Sequence, residues 1–540
     1  MGPRRDSWYL SLRSALRLSW TGKTAGNASW LIFVLFYVVV ANIPYWIASR
    51  AFGFTDHLGR FCVEFIAVGL VALVAPPIIS AMIFLLEIAA DLVSGVCRTY
   101  FLSVSQCLSN VGVFHDLSGA RRGSAIGVVL LALVFAAAAS QLPAATVRRN
   151  ERWRPAACLL AFAFLCGSAD LITLARTTRQ SPNPLLISRG VDWVDTLYYR
   201  VPRLSRMPIV RIWLSEQAEA GRRATEKANL ASVHGIPSAS ATAMKAAGLT
   251  LNNGSRDLPN LVIVIVESWG LVKDLPLQEA WVQPYLQPDL RARYEVVEGT
   301  VPFSGPTIAG EARELCGSSF AFHILDATAD ELKGCLPGRL AARGYYDIAL
   351  HGMSGELFRR STWYKTIGFE EILFNKEFKQ QGLPDCMGAL IGTCDAAVAG
   401  WIGRRLAEDD SHPYFVHWMT LNSHLPMLVP SALPGGSPCL SSLSIAPDSA
   451  MCSWYQLLAN VHQSVADLAM RKAGRPTVFV VVGDHAPPFV HPDLLDRFST
   501  SVVPYVLLIP RSNYKTQNRF FAHSSLAPPG TPKKPSAHNP

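Results

Sequence analysis

The chain has 540 residues, of which 50% are hydrophobic, and a formal net charge of +9. Its long uncharged runs are confined to the first third, which excludes a wholly soluble protein and indicates a membrane part followed by a soluble part. Much of the positive excess lies beside these runs and in the tail. We therefore expect anionic phospholipid, and no nucleic acid, as the partner of the basic residues.

The chain begins with basic residues and shows no short apolar core with a cleavage site. This pattern is typical of an uncleaved cytoplasmic end. The basic residues are Arg4, Arg5, Arg13, Arg17 and Lys23.

Four apolar runs are long enough to cross a bilayer as helices. They are Trp30–Ala48, Phe65–Leu86, Gly123–Leu142 and Ala156–Leu174. Four spans alone would place the arginines at 148, 149, 152 and 154 outside, against the positive-inside rule. Counting Thr99–Phe114 as a fifth span places these arginines inside and the rest of the chain outside. The alternative for Thr99–Phe114 is an amphipathic segment on the membrane surface.

Four regions follow from this division. Residues 1–175 form a transmembrane domain of about five helices. Residues 176–257, with a helical pattern over Trp213–Ala231, form a connector on the membrane surface or, equally, a small folded subdomain. Residues 258–510 form one large extracytoplasmic domain. Residues 511–540, rich in Pro, Ser, Lys and Asn, form a disordered tail.

The domain at 258–510 alternates strand-like runs with helical stretches. The runs are Leu261–Val266, Tyr346–Leu350, Tyr414–Trp418, Thr477–Val482 and Val502–Leu508. This alternation predicts an α/β fold with a mainly parallel sheet flanked by helices on both faces.

Two of these runs end in residues that bind metals or move protons. Glu267 ends the first run, and Asp484 and His485 end the fourth. Ligands gather at the carboxyl ends of strands in such sheets, so we expect these three side chains to meet at one edge. The alternative is that they are polar strand ends that face water.

Within Phe303–Glu311, Gly and Pro bring the chain through a turn, and Thr307 opens a helix that runs through Leu315. A hydroxyl at this position lies where free backbone amides attract an anion. The alternative is that Thr307 serves only as the helix N-cap.

Six cysteines lie in the soluble part: Cys316, Cys335, Cys386, Cys394, Cys439 and Cys452. Their even number indicates disulfides and an oxidising compartment. Short local loops favour three bridges, Cys316–Cys335, Cys386–Cys394 and Cys439–Cys452. The other five cysteines lie in or beside apolar runs and are expected to be packing residues.

The motifs over residues 260–490 resemble those of lipoteichoic acid synthases and membrane phosphoethanolamine transferases, a group within the alkaline phosphatase and sulfatase superfamily. Glu267, Thr307, Asp484 and His485 follow the family order of metal-binding Glu, nucleophile and Gly-Asp-His. Intermediate segments match as well: His351–Gly355, Phe358–Arg360, Tyr364–Phe369 and His417–Pro426.

This resemblance implies an alkaline phosphatase-like fold and one divalent metal, Zn or Mn, held by Glu267, Asp484 and His485 together with Thr307. A cation is needed because a threonine hydroxyl is barely ionised at neutral pH. Arg360 is then expected to hold the phosphate by a two-pronged contact, and His424 to bind it or to protonate the departing alcohol.

Other matching residues have weaker assignments. Phe358, which stands where lipoteichoic acid synthases have Trp, is expected to contact substrate. His351 and His417 are expected to support the fold, and His491 is a candidate for a second metal. Cys335–Arg339 fits the sulfatase C-x-P-x-R pattern, but its place after the Thr307 helix favours a disulfide cysteine.

The sequence therefore predicts an enzyme of the bacterial inner membrane with a periplasmic or extracellular catalytic domain. It would transfer a phosphoglycerol or phosphoethanolamine head group from a phospholipid to an envelope glycan or lipid through a phospho-Thr307 intermediate. The alternatives are a sulfatase or phosphodiesterase-type hydrolase with the same site, and a catalytically silent membrane scaffold for polysaccharide assembly.

Overall fold

The computed structural model describes residues 29–52, 54, 60–99, 104–109, 119–180, 204–214, 216–217, 235–249, 258–303, 305–318, 323–325, 327–387, 390–408, 411–424, 450–487, 489, 494 and 496–511. The chain divides into two compact units, with the main boundary between Ala228 and Asn229, inside the predicted connector. The tail at 512–540 and most of Trp213–Ala231 lie outside the described residues.

The first unit is built of apolar helices. They are α1 (Trp30–Val38), a 3-10 turn (Val40–Asn42), α2 (Ile43–Phe52), α3 (Glu64–Ala72), α4 (Pro77–Thr99), α5 (Val104–Ser109), α6 (Gly119–Thr146), a 3-10 turn (Arg149–Glu151) and α7 (Trp153–Gln180). Strands β1 (Phe61–Cys62) and β2 (Ser205–Arg206) pair in parallel. Among the described residues, four segments are long and apolar enough to cross a membrane: Trp30–Phe52, Pro77–Cys97, Arg121–Thr146 and Arg149–Thr173.

The predicted span Phe65–Leu86 does not form one helix. It divides into the end of α3 and the start of α4, because Pro77 opens a new helix after a turn at residues 73–76. Proline tolerates the first turn of a helix but not its interior. The predicted span Thr99–Phe114 lies mostly outside the described residues, which include only the short helix α5.

The two ends of this unit are marked by side-chain contacts. At one end, here called the Ser29 end, Ser29 Oγ donates to the carbonyl of Thr146 at 2.9 Å. At the other, here called the Arg206 end, Arg206 binds Asp91 at 2.6 Å, and Asp170 accepts from the backbone nitrogen of Leu204 at 2.6 Å.

These contacts fix the direction of each helix. Helices α1 and α2 run from the Ser29 end to the Arg206 end, where Glu64 at the start of α3 accepts from the backbone of Ile209 at 2.8 Å. Pro77 precedes Asp91 by 14 residues, or about 21 Å of helix, so α3 returns the chain before α4 crosses again. With α6 and α7, the described chain passes between the two ends five times.

The second unit contains a seven-stranded sheet in the order β4-β11-β10-β3-β9-β5-β6. The strands are β3 (Asn260–Val266), β4 (Tyr294–Pro302), β5 (Tyr346–His351), β6 (Glu371–Leu373), β9 (Tyr414–Met419), β10 (Thr477–Gly483) and β11 (Val502–Pro510). Strands β10, β3, β9, β5 and β6 are parallel, whereas β11 is antiparallel to both β10 and β4. A small hairpin joins β7 (Asp385–Met387) to β8 (Ile391–Thr393).

Helices accompany this sheet. They are α8 (Ala239–Ala246), α9 (Leu275–Val282), α10 (Pro288–Arg293), α11 (Thr307–Cys316), α12 (Leu336–Ala341), α13 (Arg360–Thr366), α14 (Asn375–Gln380), α15 (Asp395–Glu408) and α16 (Ala450–Met470), with 3-10 turns at Gln283–Leu286, His323–Leu325 and Leu357–Arg359. Every residue of β3, β9 and β10 is buried. The predicted fold class, apolar helices followed by a mainly parallel α/β domain, is confirmed.

Two predicted disulfides are present, Cys316–Cys335 and Cys386–Cys394. Cys335 is therefore a disulfide cysteine and is not available as a sulfatase-type nucleophile. The third predicted bridge involves Cys439, which lies outside the described residues. The five cysteines of the first unit are not disulfide-bonded.

Candidate active site

The central strands β3 and β10 are neighbours, and Val266 lies opposite Gly483 in their register. Because parallel strands end at the same edge, Glu267, Asp484 and His485 leave the sheet side by side. Each offers one ligand atom, these atoms all lie within 4.8 Å of one another, and all three residues are buried. The predicted meeting of these three side chains is therefore present in the structure.

Hydrogen bonds orient the three side chains. Asp484 Oδ1 accepts from the backbone nitrogens of Ser268 at 2.8 Å and of His485 at 2.6 Å. His485 Nδ1 lies 2.9 Å from the carbonyl oxygen of Ala486, which can only accept, so Nδ1 carries a proton. In the neutral imidazole, Nε2 then presents its lone pair to the two carboxylates.

The arrangement fits a divalent cation. His485 Nε2 lies 3.3 Å from Asp484 Oδ2 and 3.6 Å from Glu267 Oε1, and Asp484 Oδ2 accepts no hydrogen bond from the described residues. Burial, followed by the charge of Glu267, raises the pKa of Asp484 to about 7. Converging buried oxygen and nitrogen acceptors are costly unless a cation lies between them, and one imidazole with two carboxylates is a set that Zn²⁺ or Mn²⁺ accepts.

Thr307 lies at this cluster as the first residue of α11. Its Oγ1 donates to Glu267 Oε2 at 3.1 Å and lies 3.4 Å from His485 Nε2. The hydroxyl makes no capping bond, since Pro306 occupies the N-cap position. Thr307 therefore directs its oxygen to the candidate metal site and not to its own helix.

The position of α11 is fixed by close backbone packing. A Cβ added to Gly310 would meet the Cα and the Cβ of Asp484 at 2.9 Å each. Arg313 reaches from the same helix to the carbonyl oxygen of Gly483 at 2.7 Å. The helix that carries Thr307 is therefore held against the strand end that carries Asp484 and His485.

Backbone strain accompanies the site. Ser268, directly after Glu267, has a φ of 58°, which is uncommon for a residue with a side chain. Its carbonyl accepts from Trp454 Nε1 at 2.8 Å, and its hydroxyl donates to Glu267 Oε1 at 2.8 Å. Such strain persists where the surroundings impose it, and it is typical of functional sites.

Arg360 does not contact the metal cluster through any hydrogen bond between described residues. It is buried, and its Nε and Nη2 donate to Glu311 Oε2 at 3.0 and 2.8 Å. Only Nη1 lacks a hydrogen-bond partner among the described residues. Glu311 therefore engages Nε and one N–H of Nη2, while the second N–H of Nη2 and both of Nη1 remain as donors. The two-pronged contact of Arg360 with phosphate stays a prediction.

Phe358 packs beneath Arg360, with the guanidinium carbon 5.2 Å from the ring centroid. Phe358 and Arg359 have φ values of 55° and 51°, so the turn before Arg360 is strained as well. Phe358 is 5% exposed. In this arrangement it supports Arg360 and offers little surface to a substrate.

His424 follows β9 and is partly exposed. It is close enough to Glu267 for its charge to act there. Burial favours a raised pKa for Glu267, but the charges of His424 and His485 and the hydrogen bonds from Ser268 and Thr307 outweigh it and lower that pKa. His424 is therefore placed near the reacting groups.

His351 and His417 are buried in the domain. His351 Nδ1 lies 3.0 Å from the carbonyl oxygen of Met419, and burial, followed by the charge of Arg360, lowers the pKa of His351 to about 3. His417 Nε2 lies 3.4 Å from Glu311 Oε1. The candidate second metal ligand, His491, lies outside the described residues.

The sequence analysis missed Glu311. It lies one helical turn after Thr307 and accepts from Arg360, from the hydroxyl of Tyr364 and from His417. Burial opposes its ionisation, but Arg360 lowers its pKa to about 2. A charged residue four positions after the candidate nucleophile was the one available signal, since positions i and i+4 share a helix face.

No protein-family model matches the sequence. No curated protein matches it in a sequence search. Solved structures do match, and those named below belong to the alkaline phosphatase superfamily that the motifs resemble.

A Vibrio parahaemolyticus protein of this superfamily is 17% identical, with a TM-score of 0.35, and the match covers 47% of this chain and 61% of that one. The lipoteichoic acid synthase LtaP of Listeria monocytogenes is 13% identical, with a TM-score of 0.34, covering 50% and 71%. The phosphoglycerol transferase GacH of Streptococcus pyogenes, in complex with sn-glycerol-1-phosphate, is 17% identical, with a TM-score of 0.34, covering 50% and 73%.

Proposed function

We propose that this chain is a metal-dependent transferase of the bacterial inner membrane. It moves a phosphoglycerol or phosphoethanolamine head group from a phospholipid to an envelope glycan or lipid. The observation that carries this proposal is the position of Thr307 Oγ1, 3.1 Å from Glu267 Oε2 and 3.4 Å from His485 Nε2. A hydroxyl beside a buried cation site is the arrangement required for nucleophilic attack on phosphorus.

In the first half-reaction, Thr307 Oγ1 attacks the phosphorus of the donor as its proton passes toward Glu267 Oε2. The bond between phosphorus and the diacylglycerol oxygen breaks, and His424 protonates that oxygen as diacylglycerol leaves. Glu267, Asp484 and His485 would hold a divalent cation, which would supply stabilisation of negative charge on the Thr307 oxygen. In the second half-reaction, an acceptor hydroxyl gives its proton to His424 and attacks the phosphorus of phospho-Thr307. The bond from phosphorus to Thr307 Oγ1 breaks, and Glu267 returns its proton to that oxygen.

The membrane unit supports a lipid donor and an outward-facing site. Arg148, Arg149 and Arg152 precede α7 at the Ser29 end, Arg154 lies in its first turn, and the chain leaves α7 at the Arg206 end. If the Ser29 end is cytoplasmic, as the positive-inside rule requires, the rest of the chain continues outside the cytoplasm. The two disulfides of the second unit accord with that compartment.

The test is intact-mass spectrometry after incubation of the detergent-solubilised protein with phosphatidylglycerol or phosphatidylethanolamine. We expect an adduct of one phosphoalcohol, lost in Thr307→Ala and retained in the control Thr362→Ala, a threonine exposed on α13. An adduct that persists in Thr307→Ala contradicts the nucleophile. Released head group without labelled acceptor indicates a hydrolase, and a metal-free protein without an adduct indicates a scaffold.

A further inference from the structure

Glu311 and Arg360 form an ion pair in the interior of the second unit. Their side chains are 0% and 1% exposed, and Arg360 Nη2 lies 2.8 Å from Glu311 Oε2. The other oxygen of Glu311 accepts from the hydroxyl of Tyr364 and lies 3.4 Å from His417 Nε2. The carboxylate is therefore ionised and fully engaged, and its charge cancels that of Arg360.

Glu311 also ties Arg360 to the nucleophile. Glu311 and Thr307 lie on one face of α11, four residues apart, which places their Cβ atoms about 6 Å apart. Arg360 also interacts electrostatically with the cation site. The negative charge of Glu267, a candidate metal ligand, is among the causes that raise the pKa of Arg360. An anion bound at Thr307 therefore experiences Arg360 and Glu311 together.

The formal charges at the site have a consequence for the substrate. Glu267 and Asp484 balance a divalent cation, and Glu311 balances Arg360, so the proposed proton donor His424 carries the one surplus positive charge among these groups. A phosphodiester carries one negative charge, whereas a phosphomonoester carries about −1.5 to −2 at neutral pH. Glu311 also engages Nε and one N–H of Nη2 of Arg360, and Nη1 has no hydrogen-bond partner among the described residues.

We propose that Glu311 is a specificity-determining residue that makes the site select phosphodiesters over phosphomonoesters. It does so by neutralising Arg360 and by engaging its Nε and one N–H of its Nη2. This inference rests on the proposed function, because it takes phosphorus to be attacked at Thr307. It goes beyond that function by assigning the choice of ester class to a residue that does not itself touch the substrate.

The experiment compares kcat/KM for bis(4-nitrophenyl) phosphate with that for 4-nitrophenyl phosphate, using the full chain in detergent with Mn²⁺. Wild type is expected to favour the diester. Glu311→Gln keeps the shape of the side chain but leaves Arg360 with a net positive charge, and should shift the ratio toward the monoester by about tenfold or more. An equal loss on both esters, or a wild type that favours the monoester, overturns the proposal.

Two matched variants separate charge from structure. Glu311→Asp keeps the charge but shortens the side chain, so it should slow both esters and preserve their ratio. Glu371→Gln removes a carboxylate that pairs with another arginine, Arg405, at 2.8 Å on the edge strand β6, and should also preserve the ratio. A shift in either variant equal to that of Glu311→Gln contradicts the charge argument.

Glu311→Gln leaves a buried arginine without its partner and can fail to fold. The double variant Glu311→Gln with Arg360→Gln removes the pair as a neutral unit and should retain the preference for the diester. A shift toward the monoester in the double variant overturns the proposal.

Where turnover is too slow to follow, the dissociation constants of the two esters are measured in Thr307→Ala and in the double variant Thr307→Ala with Glu311→Gln. The ratio of the two dissociation constants then takes the place of the ratio of the kcat/KM values. Turnover that survives in Thr307→Ala contradicts the proposed nucleophile. That result is distinct from an unchanged ester ratio in Glu311→Gln, which contradicts only the role of Glu311.

Discussion

The hydroxyl of Ser423 donates to the backbone carbonyl oxygen of Glu267 at 2.6 Å. The backbone nitrogen of Glu267 in turn donates to Thr420 Oγ1 at 2.9 Å. The turn that leads to His424 is therefore fixed to both sides of a candidate metal ligand. This relationship ties the proposed proton donor to the reacting centre through the backbone.

Ser423→Ala should lower kcat for head-group transfer by about tenfold, because small displacements of a catalytic group reduce rate strongly. Metal content should stay unchanged, and stability should fall by about 1 kcal/mol. Labelled phospholipid turnover and metal analysis provide the measurements. Ser464→Ala is the control, since Ser464 also donates to a backbone carbonyl, at 2.7 Å, but on α16. Unchanged turnover in Ser423→Ala would contradict a positioning role for this turn.

Removal of metal should lower the thermal stability of the protein. A ligand at 100 times its dissociation constant stabilises the native state by about 2.7 kcal/mol, so chelation should lower Tm by about 5 °C or more. Zn²⁺ or Mn²⁺ should restore it. Asp484→Asn should show no such response, whereas Asp467→Asn, a change on the exposed side of α16, should respond like wild type. A chelation effect of equal size in Asp484→Asn would rule out the assigned ligands.

The burial of Asp347 should make the free energy of unfolding depend on pH. Neither of its buried carboxylate oxygens accepts a hydrogen bond from the described residues, and burial, followed by the charge of Glu370, raises its pKa to about 8. The folded state therefore holds a proton that the unfolded state loses near pH 4, at about the ordinary pKa of aspartate. The contribution of Asp347 to the free energy of unfolding is therefore fully present below about pH 4 and is lost as the pH rises toward 8.

Asp347→Asn removes this titration. The variant should be more stable than wild type by about 1–3 kcal/mol at pH 8, and the advantage should shrink as the pH is lowered to 5. Thermal unfolding in detergent across this range is the measurement. The control is Asp330→Asn, an exposed aspartate paired with Lys333, which should show no widening difference. An advantage that grew toward low pH would have the wrong sign for a raised pKa.

The direction of α4 gives a test of topology. Phosphatase fusions after Pro510 and after Thr99 should be active, whereas fusions after Ala75 and at Arg149 should be silent. The Thr99 fusion is decisive, because a topology in which Thr99–Phe114 supplies the fifth span places residue 99 in the cytoplasm. A silent fusion after Thr99 together with an active fusion after Pro510 would support the topology in which Thr99–Phe114 is the fifth span.

The sequence predicted the buried strands well but not the sheet edges. Strands β3 and β10 are continuous apolar runs, which is the pattern of strands covered on both faces. Strand β4, at the edge of the sheet, was missed because the exposed residues Glu295, Glu298 and Thr300 interrupt its apolar residues. The break between α3 and α4 was hidden by continuous hydrophobicity, although Pro76-Pro77 was a readable signal.

The candidate site was predictable to the extent that its residues occur at strand or helix ends. Glu267, Asp484, His485 and Thr307 are of this kind. The engagement of Arg360 by Glu311 was not predictable, because the two lie 49 residues apart in sequence and only the tertiary fold brings the first residue of α13 to α11. Likewise, neither the anchoring of Ser268 by Trp454 nor that of Glu267 by Ser423 has a local sequence signature.

The contact of Gly310 with Asp484 has a consequence for the order of assembly. Because backbone packing sets the separation of α11 from the end of β10, Thr307 and the two strand-end ligands reach their positions when the polypeptide folds. On the proposed outward topology, metal loading would then be the last step, after export and disulfide formation. An enzyme assembled in this order would take its cation from the compartment in which it works, and the cytoplasmic metal pool would not decide which ion it carries.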